Sequence, residues 1–223
     1  SNFQFNEAID PNNPEVSTSD YEVRHRVTAN LNYEFNRASR WSTVLSVFWN
    51  HQAGRPYMNI YGFGTSASIN GDGYTSNDLI YVPESADDVV ITNGTWDQLN
   101  AYFEANGLDK YAGGIAPRNS LSQPYVTQTD LSIRQNIPVP GSSSLQVMLD
   151  IYNFWNLIDS DSGWVRYVPF GTVTPFDYLG NSEDGKPIYR LRNVVTDPDN
   201  VSIFSVDNLR SRWRARLGVR WSF

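Results

Sequence analysis

The last thirteen residues, Ser211 to Phe223, constrain this chain more than any other segment. Trp213, Ala215, Leu217, Val219, Trp221 and Phe223 fall on one side of an extended backbone. Arg212, Arg214, Arg216, Arg220 and Ser222 fall on the other, with Gly218 among them. Side chains alternate across a strand, so a period of two marks a strand with one apolar and one polar face. Four arginines on the polar face and an aromatic terminal residue are unusual for a soluble sheet. A membrane barrel supplies both environments at once: the apolar face meets lipid and the arginine face meets a polar lumen.

The same alternation recurs upstream. From Tyr21 to Phe35, Tyr21, Val23, His25, Val27, Ala29, Leu31, Tyr33 and Phe35 share one face; Glu22, Arg24, Arg26, Thr28, Asn30, Asn32 and Glu34 share the other. A polar turn leads into Trp41–Gln52, and the pair reads as a hairpin. Alternation returns at Tyr125–Ile137 and, after the breaker-rich turn Pro138–Ser144, at Leu145–Asn156. The expectation is therefore an all-β fold: an antiparallel transmembrane β-barrel segment with strands near 21–35, 41–52, 125–137, 145–156 and 211–223. A sixth strand is expected within Asn2–Ala8.

The connections alternate too: short turns, then long segments over 53–124 and 157–210. Soluble domains rarely hold structureless connections beyond about fifteen residues. Outer-membrane barrels pair short periplasmic turns with long extracellular loops, so the two long segments are expected outside. Within 53–124, Asp97–Lys110 predicts a helix with Leu99, Tyr102 and Phe103 on one side and Gly107 near its end. The tryptophans agree with a membrane: Trp41 and Trp49, and Trp213 and Trp221, stand eight residues apart on apolar faces. That is roughly 26 Å along a strand, close to the apolar band between two aromatic girdles once tilt is allowed for. Five or six strands fall short of the roughly eight needed to close a barrel, and an open edge in lipid leaves backbone groups unpaired. Ser1–Asp10 shows neither a basic n-region nor an apolar h-region. The chain is thus expected to be the C-terminal segment of a larger barrel.

Composition removes other classes. No run of about 18 apolar residues is present, so the chain does not cross a membrane as a helix. The formal net charge of −7 argues against nucleic acid as a partner. Cysteine is absent, which excludes a disulfide framework and thiolate metal sites.

The charged wall positions are the first candidates for function. Arg24, Arg26, Arg134, Arg212, Arg214, Arg216 and Arg220 face inward and outnumber Glu22, Glu34, Asp130 and Asp150. These arginines either pair with carboxylates on neighbouring strands, or dock an internal plug, or line an anion path. Asn70–Asp78 has the composition of a calcium loop, with Asp72, Asn77 and Asp78 as candidate ligands, but lacks the terminal Glu of an EF-hand. Asp159–Asp161 and Asp197–Asn200 are similar scraps; turn chemistry explains all three equally well. His25 and His51 have no nucleophile motif beside them, and neither G-x-S-x-G nor H-E-x-x-H occurs. No enzymatic activity and no cofactor are expected. The alternatives are a soluble β-sandwich that binds carbohydrate or calcium, and an outer-membrane enzyme or adhesin on the same barrel. The loop aromatics Tyr57, Tyr61, Phe63, Tyr74, Trp96, Trp164, Tyr167, Phe170, Phe176 and Tyr178 either pack the loops on themselves or form a ligand surface.

A family resemblance rests on the order of several short stretches. Arg24-His25-Arg26, then Gly54-Arg55-Pro56-Tyr57, Asn70-Gly71-Asp72-Gly73 and Asn77-Asp78-Leu79-Ile80-Tyr81-Val82-Pro83 resemble the C-terminal barrel of Oar-like TonB-dependent receptors. The stretch from Leu149 to Ile158 is similar to their penultimate strand, and Leu217–Phe223 to their terminal strand. The resemblance implies a barrel of about 22 strands in the bacterial outer membrane, closed by an N-terminal plug. It implies transport energised through the TonB system. It also implies that the assembly machinery reads the terminal strand, here Leu217, Val219, Trp221 and Phe223. The partners it implies are outer-membrane lipid, the plug, the TonB system and that machinery.

Overall fold

The structure, a computed structural model, describes residues 7–62, 68–74, 77–141 and 143–223. The chain divides into two compact units, a wall (23–54, 124–167 and 206–223) and a loop unit (1–22, 55–123 and 168–205).

The wall is one antiparallel sheet of five strands in the order β1-β2-β3-β4-β5. These are β1 (Arg26–Phe35), β2 (Thr43–Gln52), β3 (Val126–Pro138), β4 (Ser144–Tyr152) and β5 (Arg214–Ser222). The sheet is open: among the described residues β1 and β5 each pair on one edge only. Register decides which side chains share a face, because a slip of one residue would invert a strand. Here every strand is in phase. Leu31, Val47, Leu131, Ile151 and Ala215 form one row across the sheet, and Tyr33, Leu45, Ile133, Leu149 and Leu217 form the next. Asn32, Ser46, Ser132, Asp150 and Arg216 form a row on the opposite face.

The apolar rows are exposed on β1 and β5 and, apart from the exposed Ile133, half-buried on β2, β3 and β4. Leu217 is 72 % exposed, Leu31 and Trp221 68 % each. A β-sandwich would bury these residues against a facing sheet, so the wall is not the sandwich considered above. Aromatics edge the face. Phe35, Trp41, Trp221 and Phe223 stand at the end that carries the short turns, all exposed. At the other end His25, Tyr125, His51 and Trp49 stack ring on ring, with centroids 4.9–6.3 Å apart. Arg40 Nη2 donates to Val139 O (3.1 Å) and Ser143 O, which ties the two short turns together.

Strand ends depart from the periodicity. β1 starts at Arg26, five residues later than the alternation predicts, because Glu22 N bonds Ser19 O in a turn. β4 stops at Tyr152 rather than running to Asn156. Asn153 takes a left-handed backbone (φ 52°) and opens the short helix Phe154–Ile158. Its N–H donates to Asp130 Oδ1 (2.8 Å) and its amide donates to Ser211 O (2.6 Å) and Gly163 O (3.1 Å). A Cβ on Gly163 would lie 2.0 Å from Asn153 Oδ1, so only glycine fits there. β5 starts at Arg214, since Asp207 caps the short helix Asn208–Ser211 through Leu209 N and Arg210 N. The sixth strand expected over 2–8 lies outside the described residues except for Glu7 and Ala8, which are not in a strand.

The long connections are not structureless. Residues 55–123 and 168–205 carry a helix, short strands and a shared core. Helix α1 (Trp96–Asn106) has a reciprocal capping box: Gln98 N donates to Thr95 Oγ1, and Thr95 N to Gln98 Oε1. It ends on Gly107 at φ 65°, where a left-handed residue closes the last turn. Leu99, Tyr102 and Phe103 point from it into a core with Tyr61, Ile80, Leu108, Phe176, Tyr189 and Leu191. Each such side chain contributes roughly 1.5–3 kcal/mol of burial. Phe176 stacks on Tyr189 at 4.3 Å, and Tyr61 Oη and Tyr189 Oη share a hydrogen bond of 3.0 Å. Burial pushes the Tyr57 hydroxyl up to about 12 and drives those of Tyr61, Tyr102 and Tyr189 higher still. Arg118 pins the N-terminal segment to this unit through Glu7 (3.3 Å) and Asp20 (3.1 Å).

Candidate functional site

On the polar face of the wall, Asp150 is the acceptor within the row that runs from Asn32 to Arg216. Ser132 Oγ donates to its Oδ1 (2.6 Å), while Arg216 Nε and Nη2 donate to its Oδ2 (3.1 and 2.7 Å). Three adjacent strands are joined by one carboxylate. Arg26 Nε donates to Asn50 Oδ1 (2.9 Å), and the Arg214 guanidinium lies over the Tyr152 ring at 5.8 Å. Arg134 and Arg220 are exposed on the same face, opposite Met148 and Gln146. Cross-strand pairing is realised at Asp150 and Arg216, and the rest of the face remains basic. Two expected wall residues sit elsewhere. Arg24 precedes β1, and Arg212 is the C-cap of the helix Asn208–Ser211. Both strands begin later than alternation implied, so neither arginine belongs to a strand.

The loop unit holds a second charged centre. Asp177, on the strand Phe176–Asn181, is buried and accepts from two arginines. Arg190 Nη2 donates to Oδ2 at 2.7 Å, and Arg192 Nη2 to Oδ1 at 2.6 Å. Arg192 Nη1 also donates to Thr174 Oγ1 (3.1 Å). Two guanidiniums on one carboxylate leave one surplus positive charge. The cluster lines a cleft of about 550 Å³ together with Asn93, Thr174 and Asn193. The Gly62 backbone passes so close that a Cβ there would lie 1.8 Å from Asp177 Oδ1. A separate apolar cleft of about 620 Å³ runs between Ala101, Tyr102 and Ala105 of α1 and Val194, Ile203 and Phe204. One cleft suits an anionic group and the other an apolar one.

Residues 1–174 match the model of a protein family described as an outer membrane beta barrel domain. This chain belongs to that family. The protein is accordingly placed in the outer membrane. No curated protein matches the chain, and no solved structure matches it.

The remaining sequence candidates of this barrel-family protein fall as follows. Leu217, Val219 and Trp221 lie on the apolar face of β5, and Phe223 follows its end, fully exposed. His51 Nδ1 is 2.8 Å from Thr127 Oγ1, within the aromatic stack. Of the loop aromatics, Tyr57, Tyr61 and Phe176 are buried, whereas Tyr74, Tyr167 and Phe170 are exposed; Phe63 lies outside the described residues. Asp72, Asn77 and Asp78 come together. Asn77 Nδ2 donates to Asp72 Oδ2 (2.8 Å), and Asp72 Oδ1 accepts from Tyr74 N (2.7 Å) and Ser68 Oγ (3.2 Å). Burial works to raise Asp72, but its hydrogen bonds from Asn77, Tyr74 and Ser68 outweigh this and hold it below the usual carboxylate range. Asp78 moves the other way: burial raises it, and the Asp72 charge adds to the effect. Among the described residues no group of three or more His, Cys, Asp or Glu is placed to hold a metal.

Sequence reading missed the Asp177 cluster. The signal was present in Tyr189-Arg190-Leu191-Arg192, where alternate residues are buried and charged, but it spans too few residues to stand out from a loop.

Proposed function

We propose that this chain forms wall and substrate-facing loops of a TonB-dependent outer-membrane receptor, and that its role is transport rather than catalysis. The observation that carries this reading is the pairing of a lipid-type wall with long connections folded into a core-bearing unit. A passive pore needs no such unit, whereas a receptor needs a rigid frame for selective contacts. The order of short motifs shared with Oar-like receptors supports the same reading. In it, the loop unit lies outside the cell and its clefts meet the substrate. The basic row of Arg26, Arg134, Arg214, Arg216 and Arg220 faces a plug, with Asp150 holding Arg216 in place. Further strands complete the barrel, since an open edge in lipid is costly. The assembly machinery reads Leu217, Val219, Trp221 and Phe223.

The test is uptake in cells that carry the natural protein. Uptake of its substrate should stop when the proton-motive force is collapsed or TonB is removed, while the protein stays in the outer-membrane fraction. Uptake that persists without either energy source contradicts the receptor reading and leaves a passive barrel.

A further inference from the structure

We infer that Asp72, Asn77 and Asp78 form a binding site for a hard divalent cation of calcium type, built into the edge of the loop unit. Asp78 and Asp72 supply the anionic oxygens and the Asn77 side-chain carbonyl a neutral one. This inference is independent of the transport reading.

The starting observation is a pair of bare oxygens. Asn77 is 1 % exposed and Asp78 3 %, yet Oδ1 of each is buried with no hydrogen-bond partner. Folded proteins pair nearly all buried polar atoms, and an ion is one of the few reasons for an exception. The two oxygens belong to one cluster. Asn77 carries its bare oxygen on the same amide whose nitrogen touches Asp72 Oδ2. Asp78 binds Ile69 N through Oδ2 (3.1 Å) and keeps Oδ1 bare. Asp78 is a buried carboxylate, and a buried charge calls for a partner of opposite sign. Among the described residues, none of the partners of these three is an arginine or lysine.

The donor chemistry selects the ion. All three ligands are oxygens, with no imidazole or thiolate, which suits calcium or magnesium and not zinc or copper. Calcium fits better than magnesium, because it accepts irregular geometry and fills its remaining positions with backbone carbonyls and water. The inner ligands are fixed to the core. Tyr61 N donates to Asp78 O (3.0 Å), and the next residue, Leu79, bridges Ile60 inside a small apolar cluster. The outer ligand, Asp72, is partly exposed on a turn whose flanking Gly71 and Gly73 sit at φ 76° and 84°. An ion can therefore enter from outside and tie the turn to the core.

The other acidic scraps serve as an internal control. Asp159 accepts from Ser162 Oγ (2.7 Å) and Asp161 N (3.1 Å), and Asp197 from Asn200 Nδ2 (2.9 Å); both aspartates are exposed. Neither has a buried bare oxygen among the described residues. Similar composition thus gives plain turn chemistry at those positions and a cation site only at the third.

Terbium luminescence on the full-length protein in detergent tests this, with Tyr74 two residues from Asp72 as sensitiser. The expected result is one saturable terbium site that calcium displaces at least about tenfold more effectively than magnesium. Asp78→Asn should weaken binding by about tenfold or more, whereas Asp159→Asn should leave it unchanged. Asn77→Ala provides a second, uncharged variant should Asp78→Asn fail to assemble. A wild-type protein without a calcium-displaceable site overturns the inference, and so does unaltered binding in both Asp78→Asn and Asn77→Ala.

Discussion

The wall and the loop unit are built from the same kinds of residue and use them in opposite ways. In the wall, leucines and tryptophans stand in rows along one face, exposed on the two outer strands and half-buried on the inner ones. In the loop unit, leucines and aromatics converge from segments more than a hundred residues apart and are sealed, as Tyr61 and Tyr189 are. The contrast shows that the surrounding medium, not composition, sets where apolar side chains go. A strand in lipid needs no facing layer, because hydrocarbon tails replace one. A loop in water must make its own core or remain disordered.

Substitutions that break this contrast should have graded effects. The largest is expected from Phe176→Ala, which empties the centre of the loop-unit core at a cost of about 3–5 kcal/mol. Limited proteolysis should then cut within 55–123 and 168–205 while the wall strands stay protected. Leu217→Arg should cost about 2–4 kcal/mol in a bilayer. It should lower the yield of membrane-inserted protein and leave an inserted protein's loop-unit core intact. A wall that instead unfolds from Leu217→Arg in water, outside any bilayer or detergent, would mean that the face packs on protein.

Smaller effects sharpen the picture of the loop unit. Gly62→Ala forces a methyl group against the Asp177–Arg192 pair and should cost about 1–3 kcal/mol. Urea melts of the loop unit should register this, and a neutral result would mean that the pair moves aside freely. The buried tyrosines give a pH signature. The unfolded chain releases their protons near pH 10, whereas the folded unit keeps the Tyr57 proton up to about 12 and the protons of Tyr61, Tyr102 and Tyr189 longer. The folded state thus binds more protons above pH 10. Its stability is intact below that point and falls as the pH rises towards 12 and beyond. The tyrosinate absorbance of these four residues should therefore rise in one steep, unfolding-linked step above the gradual ionisation of the exposed tyrosines. Independent, gradual ionisation of these residues would contradict their burial.

The wall was readable in the sequence because a period of two sustained over ten residues has no competing explanation. Its ends were not. Alternation runs on through Tyr21–His25 and through Asn153, where a local turn and a left-handed asparagine stop the strand. The loop unit was readable only at α1, whose cap, buried face and closing glycine lie within thirteen residues. Its short strands pair across long separations, as Ile188 with Val90 and Met58 with Thr172 do, and no local pattern encodes such partners. The candidate sites divide along the same line. The Asp150–Arg216 pair follows from strand phase, whereas the Asp177 cluster needs Gly62, Thr174 and Arg192 brought together by the fold.

The central claim is that lipid covers the apolar face of the wall. The chain has no cysteine, so single spin labels can be placed without further changes. Labels introduced by Leu45→Cys, Leu149→Cys and Leu217→Cys in protein reconstituted into bilayers should collide readily with oxygen and poorly with a water-soluble nickel complex. Labels introduced by Ser132→Cys and Arg216→Cys, on the other face, should show the reverse. Low collision with both reagents at positions 45, 149 and 217 would place those residues inside protein and contradict the account.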